Sequence, residues 1–124
     1  MVINSHKELI VWQKGVELSK KIYPLTEAFP KEEIYGITSQ MRRAAVSIPS
    51  NIAEGRNRGT RKDFVQFLRI ASGSVAELET QIEIAKQLPK MQAFSYQEID
   101  ILISEVSRML TAMIKKLSVS KAIS

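Results

Sequence analysis

The side chains able to do chemistry in this sequence are few, and they do not converge. One histidine, His6, and no cysteine leave thiolate metal sites, disulfides and cysteine nucleophiles out of reach. His6 falls in the first turn of a helix, where a solvent-facing role is expected rather than catalysis. No Glu-x-x-His pair exists of the kind that holds two metals inside a helical bundle. Glu77, Glu79 and Glu83 cluster, but with no histidine or matching acidic pair they are expected to be solvated, or paired with Lys86, Arg43 or a neighbouring subunit. The stretch Gly55-Arg56-Asn57-Arg58-Gly59-Thr60-Arg61-Lys62 lacks the Gly-Lys-Ser/Thr ending of a phosphate-binding P-loop. The reading is a non-enzyme with no catalytic residue, no metal and no cofactor.

The pattern that remains is basic. The net charge is +5, and the segment Arg42 to Arg69 holds seven Lys or Arg against two acids, so it carries the whole excess. Six of the seven arginines of the chain lie there. Arginine presents a rigid fork of donors that matches phosphate and carboxylate. Arg56, Arg58, Arg61 and Lys62 occupy a turn and the start of a helix, where free backbone amides and the positive dipole end also favour phosphate. With Arg69 and Arg42 they form the candidate nucleic-acid contact. Phe64 and Phe67, the aromatic residues nearby, are expected in the core, so binding should be led by the phosphate backbone and not by base stacking. The alternative is a protein adaptor without nucleic-acid binding, in which these arginines meet another subunit or an acidic partner. Sequence leaves the two readings open.

Four helices must position these groups. Ser5-His6-Lys7-Glu8 reads as a capping box for the first, whose apolar rows are Leu9, Trp12, Val16, Tyr23 and Val11, Leu18, Ile22, Leu25, Phe29, with Pro24 on the polar side. Pro30-Lys31-Glu32-Glu33 is expected to start the second, with Ile34, Ile37, Met41, Ala44, Ala45, Ile48 and Ile52 facing inward and Gly55 as its C-terminal cap. A kink is expected at Pro49, because the apolar spacing continues through it. Opposite that face runs a polar stripe of Gln40, Arg43, Ser47, Asn51 and Glu54. It is read as structural, with Ser47 or Asn51 answering the carbonyl that Pro49 leaves without a donor. Thr60-Arg61-Lys62-Asp63 caps a third helix with the seam Phe64, Leu68, Ala71, Val75, Leu78, Ile82, Ala85, and Gly73 within it implies close approach by another backbone. Ser95-Tyr96-Gln97-Glu98 opens a fourth helix with a broad apolar arc. The result is an all-α, antiparallel up-down-up-down bundle of one domain over residues 1–118, followed by a frayed tail at 119–124. No apolar run reaches the roughly 20 residues that span a bilayer, and no secretory signal is evident, so a cytoplasmic protein is expected.

The segments Val11-Trp12-Gln13-Lys14, Phe29-Pro30-Lys31-Glu32-Glu33, Gln40 through Gly55 and Phe67 through Ser74 together resemble the four-helix-bundle family encoded in intervening sequences of large-subunit ribosomal RNA genes. The resemblance covers roughly Leu9 to Leu88, with the last helix matching in pattern. That family includes the accessory protein of diversity-generating retroelements, which engages nucleic acid and a reverse transcriptase through a basic surface. The resemblance implies a homopentameric barrel, which would account for the broad apolar arcs of the first and fourth helices, and a reverse transcriptase as partner only where a retroelement exists.

Overall fold

The computed structural model describes the backbone of residues 5–123 and side chains as far as residue 119. Four helices follow in order: α1 (Ile10–Glu27), α2 (Ile37–Asn57), α3 (Arg61–Gln87) and α4 (Gln97–Ile123), with 3₁₀ turns at His6–Glu8 and Lys31–Glu33. No strand occurs among the described residues. Each helix packs against its neighbours in sequence and α4 returns to α1, which closes an antiparallel four-helix bundle.

Every helix therefore has two neighbours, and this accounts for much of the breadth of the apolar arcs. On α1, Val11, Leu18 and Ile22 are buried while Trp12 and Leu25 are half-buried against the same core. On α4, Ile99, Leu102, Ile103, Val106 and Leu110 are buried, with Met109, Met113, Ile114 and Leu117 along the edge. The seam of α3 is buried from Leu68 to Ala85. Phe64 and Phe67, expected inside, are half-buried. Ile34 is exposed, because it precedes α2 and does not share its face. What stays outside one bundle is a scattered set including Ile10, Ile70, Ile84, Ile101 and Val119. Single exposed aliphatics of this kind are common on folded proteins.

Helix ends differ from the local signals in instructive ways. Ser5 accepts the Lys7 amide at 3.1 Å and opens a 3₁₀ turn; α1 then begins after Leu9 with no side-chain cap. Pro30 and the acids after it likewise open a 3₁₀ turn, and α2 starts only after Gly36. Thr60 does cap α3, its Oγ1 accepting the Asp63 amide at 3.1 Å. Before α4 the capping position belongs to Tyr96, whose carbonyl accepts the Asp100 amide at 2.8 Å. The Tyr96 ring is buried and its hydroxyl donates to the Met91 carbonyl at 2.7 Å, fixing the α3–α4 connection. The segment after Ser118 continues α4 to Ile123.

Two glycines do not play the roles that sequence assigns them. Gly55 does not end α2, which runs on to Asn57; it is buried, and a Cβ there would stand 2.5 Å from Phe67 Cβ. Gly73 meets nothing within 4 Å and lies on the exposed side of α3. The turn itself is made by Gly59, whose φ of 88° is the left-handed conformation that glycine adopts without penalty.

Gly55→Ala is expected to destabilise the protein by about 1–3 kcal/mol, since the added methyl must displace a ring already in contact. Gly73→Ala should stabilise it by roughly 0.5–1 kcal/mol through helix propensity. Urea denaturation of the two variants measures both, and equal effects would contradict the packing described. Burial raises the Tyr96 phenol above its ordinary value of 10.0, so folding favours the neutral ring. Its contribution is present below pH 10 and is lost as pH climbs through the folded-state value. A 295 nm titration should show one late-ionising tyrosine, absent from Tyr96→Phe.

Candidate nucleic-acid interface

The α2–α3 connection places the basic residues at one end of the bundle. Arg58 follows the last residue of α2, Gly59 turns the chain, and Arg61 and Lys62 open α3. Arg56, Arg58, Arg61 and Lys62 thus share one corner. Arg61 and Lys62 are exposed and form no ion pair among the described residues. Arg58 is more committed. It donates to Glu54 Oε2 at 2.8 Å, and its guanidinium lies 5.0 Å from the centroid of the Phe67 ring. The hydrogen bond it donates to Glu54 holds Arg58 protonated even more firmly than an ordinary arginine.

Antiparallel packing adds residues that spacing along the chain could not connect. Arg69 Nη2 lies 3.5 Å from Ser118 Oγ, so the C-terminal half of α4 runs beside the start of α3. Lys115 and Lys116 of α4, both exposed, join the same half of the molecule. The signal for them was available only as two adjacent lysines near the end of a helix. Acids gather in the opposite half, where Glu27, Glu32, Glu33, Glu98 and Asp100 lie near the other helix ends. Lys86 pairs there with Asp100 at 2.7 Å, rather than with the α3 glutamates, and Glu83 accepts from Gln87 at 3.1 Å.

Arg42 does not belong to the basic end. It lies fourteen positions before Arg56 on the same helix, or roughly 21 Å along the axis at 1.5 Å per residue. Its Nε donates to Thr26 Oγ1 at 2.8 Å, Nη2 pairs with Glu27 at 3.3 Å, and the guanidinium stacks 4.8 Å from the Tyr23 ring centroid. The six candidate residues therefore divide into five at one end and one at the other.

The polar stripe of α2 also divides. Asn51 Nδ2 donates to the Ser47 carbonyl at 2.8 Å and to Ser47 Oγ at 2.9 Å. Ser47 Oγ meets Ser74 Oγ of α3 at 2.8 Å, and Ser74 Oγ donates a hydrogen bond to the Ile70 carbonyl at 3.3 Å. This chain links α2 to α3. Neither residue repairs Pro49. A helical residue at 49 would donate to the Ala45 carbonyl, and the donor there is Ser19 Oγ of α1 at 2.9 Å. The repair comes from across the bundle because α1 is close enough for Gly15 to sit against Pro49, 3.4 Å from its Cδ to an added Cβ. Gln40 and Arg43 instead face an open polar groove of about 530 Å³, with Tyr35, Ser39 and Glu77 across from them. Nearer the core, Gln81 Oε1 is buried without a partner among the described residues.

His6 is half-buried with its ring edge-on to Trp12 at 5.2 Å, a packing contact. Among the described residues no three His, Cys, Asp or Glu side chains come together as a metal site, and no helix is long and apolar enough to cross a membrane.

A model of the 23S rRNA-intervening sequence protein family matches residues 7–112. The chain is also similar to a crystal structure of a protein of unknown function from the S23 ribosomal protein family of Bacteroides thetaiotaomicron VPI-5482. The two share 25% sequence identity and a TM-score of 0.78, over 86% of this chain and 99% of that one. No curated protein matches.

Loss of the Ser19 hydroxyl leaves the Ala45 carbonyl unsatisfied beside a proline. Ser19→Ala should cost about 1–3 kcal/mol in chemical denaturation, the range for a buried acceptor that loses its donor. Wild-type stability in that variant would mean that the helix resolves Pro49 in some other way.

Proposed function

The chain belongs to the 23S rRNA-intervening sequence protein family, and from that premise we propose that it is a non-enzymatic, self-assembling scaffold whose basic end holds the phosphate backbone of nucleic acid. One observation carries the reading: Arg56, Arg58, Arg61, Lys62 and Arg69 lie together at one end of the bundle, with Lys115 and Lys116 of α4 in the same half. One of the two acids there is neutralised by an ion pair. Glu54 is engaged by Arg58, and Asp63 sits in the capped first turn of α3.

The positive field at this end comes from side chains rather than from helix dipoles. In an antiparallel bundle the positive N-terminus of α3 lies beside the negative C-termini of α2 and α4, so the backbone contributions oppose one another. Phosphate contacts are then long-range and flexible, which suits backbone binding without base reading.

Self-assembly is the second part of the proposal, as a homopentamer. It rests on what the family resemblance implies; the exposed aliphatics Ile10, Ile70, Ile84, Ile101 and Val119 are scattered and do not by themselves call for it. Repetition around a ring would bring several basic ends into one surface, multiplying contacts that are individually weak. The competing reading, an adaptor whose arginines meet a neighbouring subunit or an acidic partner protein, draws on the commitment of Arg58 to Glu54 and Phe67. A reverse transcriptase would be a partner only beside a retroelement.

Light scattering is expected to find a particle near five times the 14.0 kDa chain mass. Affinity for RNA or DNA should fall with salt on a log-log slope near −0.9 per duplex phosphate neutralised, or about −0.7 on single strands. Replacing Arg56, Arg58 and Arg61 together by alanine should flatten that slope and leave the particle mass unchanged. Unchanged affinity would reject the interface; a collapsed oligomer in native mass spectrometry would assign these arginines to subunit contact.

A further inference from the structure

At the end of the bundle away from the basic cluster, the 3₁₀ turn between α1 and α2 leaves a cavity of about 360 Å³. This is at the small end of the range for ligand pockets, about 300 to 1,000 Å³. Phe29, Pro30 and Ile34 provide an apolar lining, and Phe29 is itself anchored in the core against Phe94 at 5.6 Å.

The polar groups at this cavity are preorganised and incompletely used. Thr38 lines it with 3% of its surface exposed, and its hydroxyl makes no hydrogen bond with a described residue. The hydroxyl is not sealed off, so water or a ligand in the cavity can reach it. Thr26, the neighbouring hydroxyl, is fully engaged: it donates to the Ile22 carbonyl at 2.7 Å and accepts from Arg42 Nε at 2.8 Å. That bond and the Tyr23 ring hold the Arg42 guanidinium in place, with its side chain 24% exposed. Its carboxylate partner, Glu27, is 83% exposed and 3.3 Å away. So loose a partner can be displaced by another carboxylate.

We infer that this cavity binds a small monocarboxylate with an apolar body. The carboxylate takes the place of Glu27 on Arg42 and accepts a hydrogen bond from the Thr38 hydroxyl, while the hydrocarbon lies on Phe29, Pro30 and Ile34. The planar guanidinium fork matches a carboxylate in two parallel hydrogen bonds. Lys31 at the rim adds one positive charge. A multiply charged phosphate is disfavoured, since Glu27 lines the cavity and the Glu33 carboxylate stands beside Gly36 at the start of α2. The site is separate from the basic end and stands whether or not that end binds nucleic acid.

The test uses the full chain, labelled with ¹⁵N, titrated with 3-phenylpropionate, with its uncharged amide and with inorganic phosphate. The acid should shift the amides of Lys31, Ile34, Thr38 and Arg42 saturably, and both controls should bind at least about tenfold more weakly. Thr38→Val keeps the shape of the wall and should weaken the acid about fivefold. Glu27→Gln removes the internal competitor and should tighten it about twofold or more. Circular dichroism confirms that both variants fold. The inference is overturned by equal binding of acid and amide, by phosphate shifting the same amides as strongly, by an unaltered affinity in Thr38→Val, or by no saturable shift up to about 50 mM.

Discussion

Close approach of α2 to the helices on either side is the constraint on which the rest of the structure depends. Toward α1, Gly15 meets Ile48 and Pro49; toward α3, Gly55 lies under Phe67, and Ser47 reaches Ser74. Ala44, Ala45 and Ala71 are buried along the same surfaces. Small residues let backbones come near, but nearness also shuts out water, so each polar group caught between helices needs a partner on site. Ser19 supplies one for Ala45, and the run from Asn51 through Ser47 and Ser74 to Ile70 supplies the others.

That packing decides where the charges go. With α2 and α3 locked side by side, the short turn at Gly59 places the arginines around it at one end of the bundle, and α4 brings two lysines to the same half. The opposite end receives carboxylates together with Lys31, Lys86, Lys90 and Arg42, several of them in ion pairs such as Lys90 with Glu32 at 2.9 Å. A bundle divided in this way has one end suited to polyanions. The other end has its charges largely matched, and a recess lined by Arg42 and Thr38.

Arg42 illustrates why clustering in sequence overstates clustering in space. It precedes Arg43 in the same basic stretch as the loop arginines, but a helix converts fourteen residues into two ends of a rod. Its companions are Thr26, Glu27 and Tyr23, brought by α1.

The sequence alone determined the helices and the faces they bury, because periodicity and backbone hydrogen bonding are local. The α3 seam from Leu68 to Ala85 and the Thr60 cap follow from residues within a turn or two of one another. It also determined that Arg56, Arg58, Arg61 and Lys62 must be neighbours, since they flank a single turn. Tertiary structure alone decided what each ambiguous residue meets. A glycine ending an apolar run reads as a cap, and only the position of Phe67 shows that Gly55 is a contact; Gly73 reads as a contact and faces open space. The donor for Ala45 comes from Ser19, twenty-six residues away, and Arg69 meets Ser118 across forty-nine. Such pairings are set by which helices touch and at what register, and no spacing within one helix encodes the surface of another.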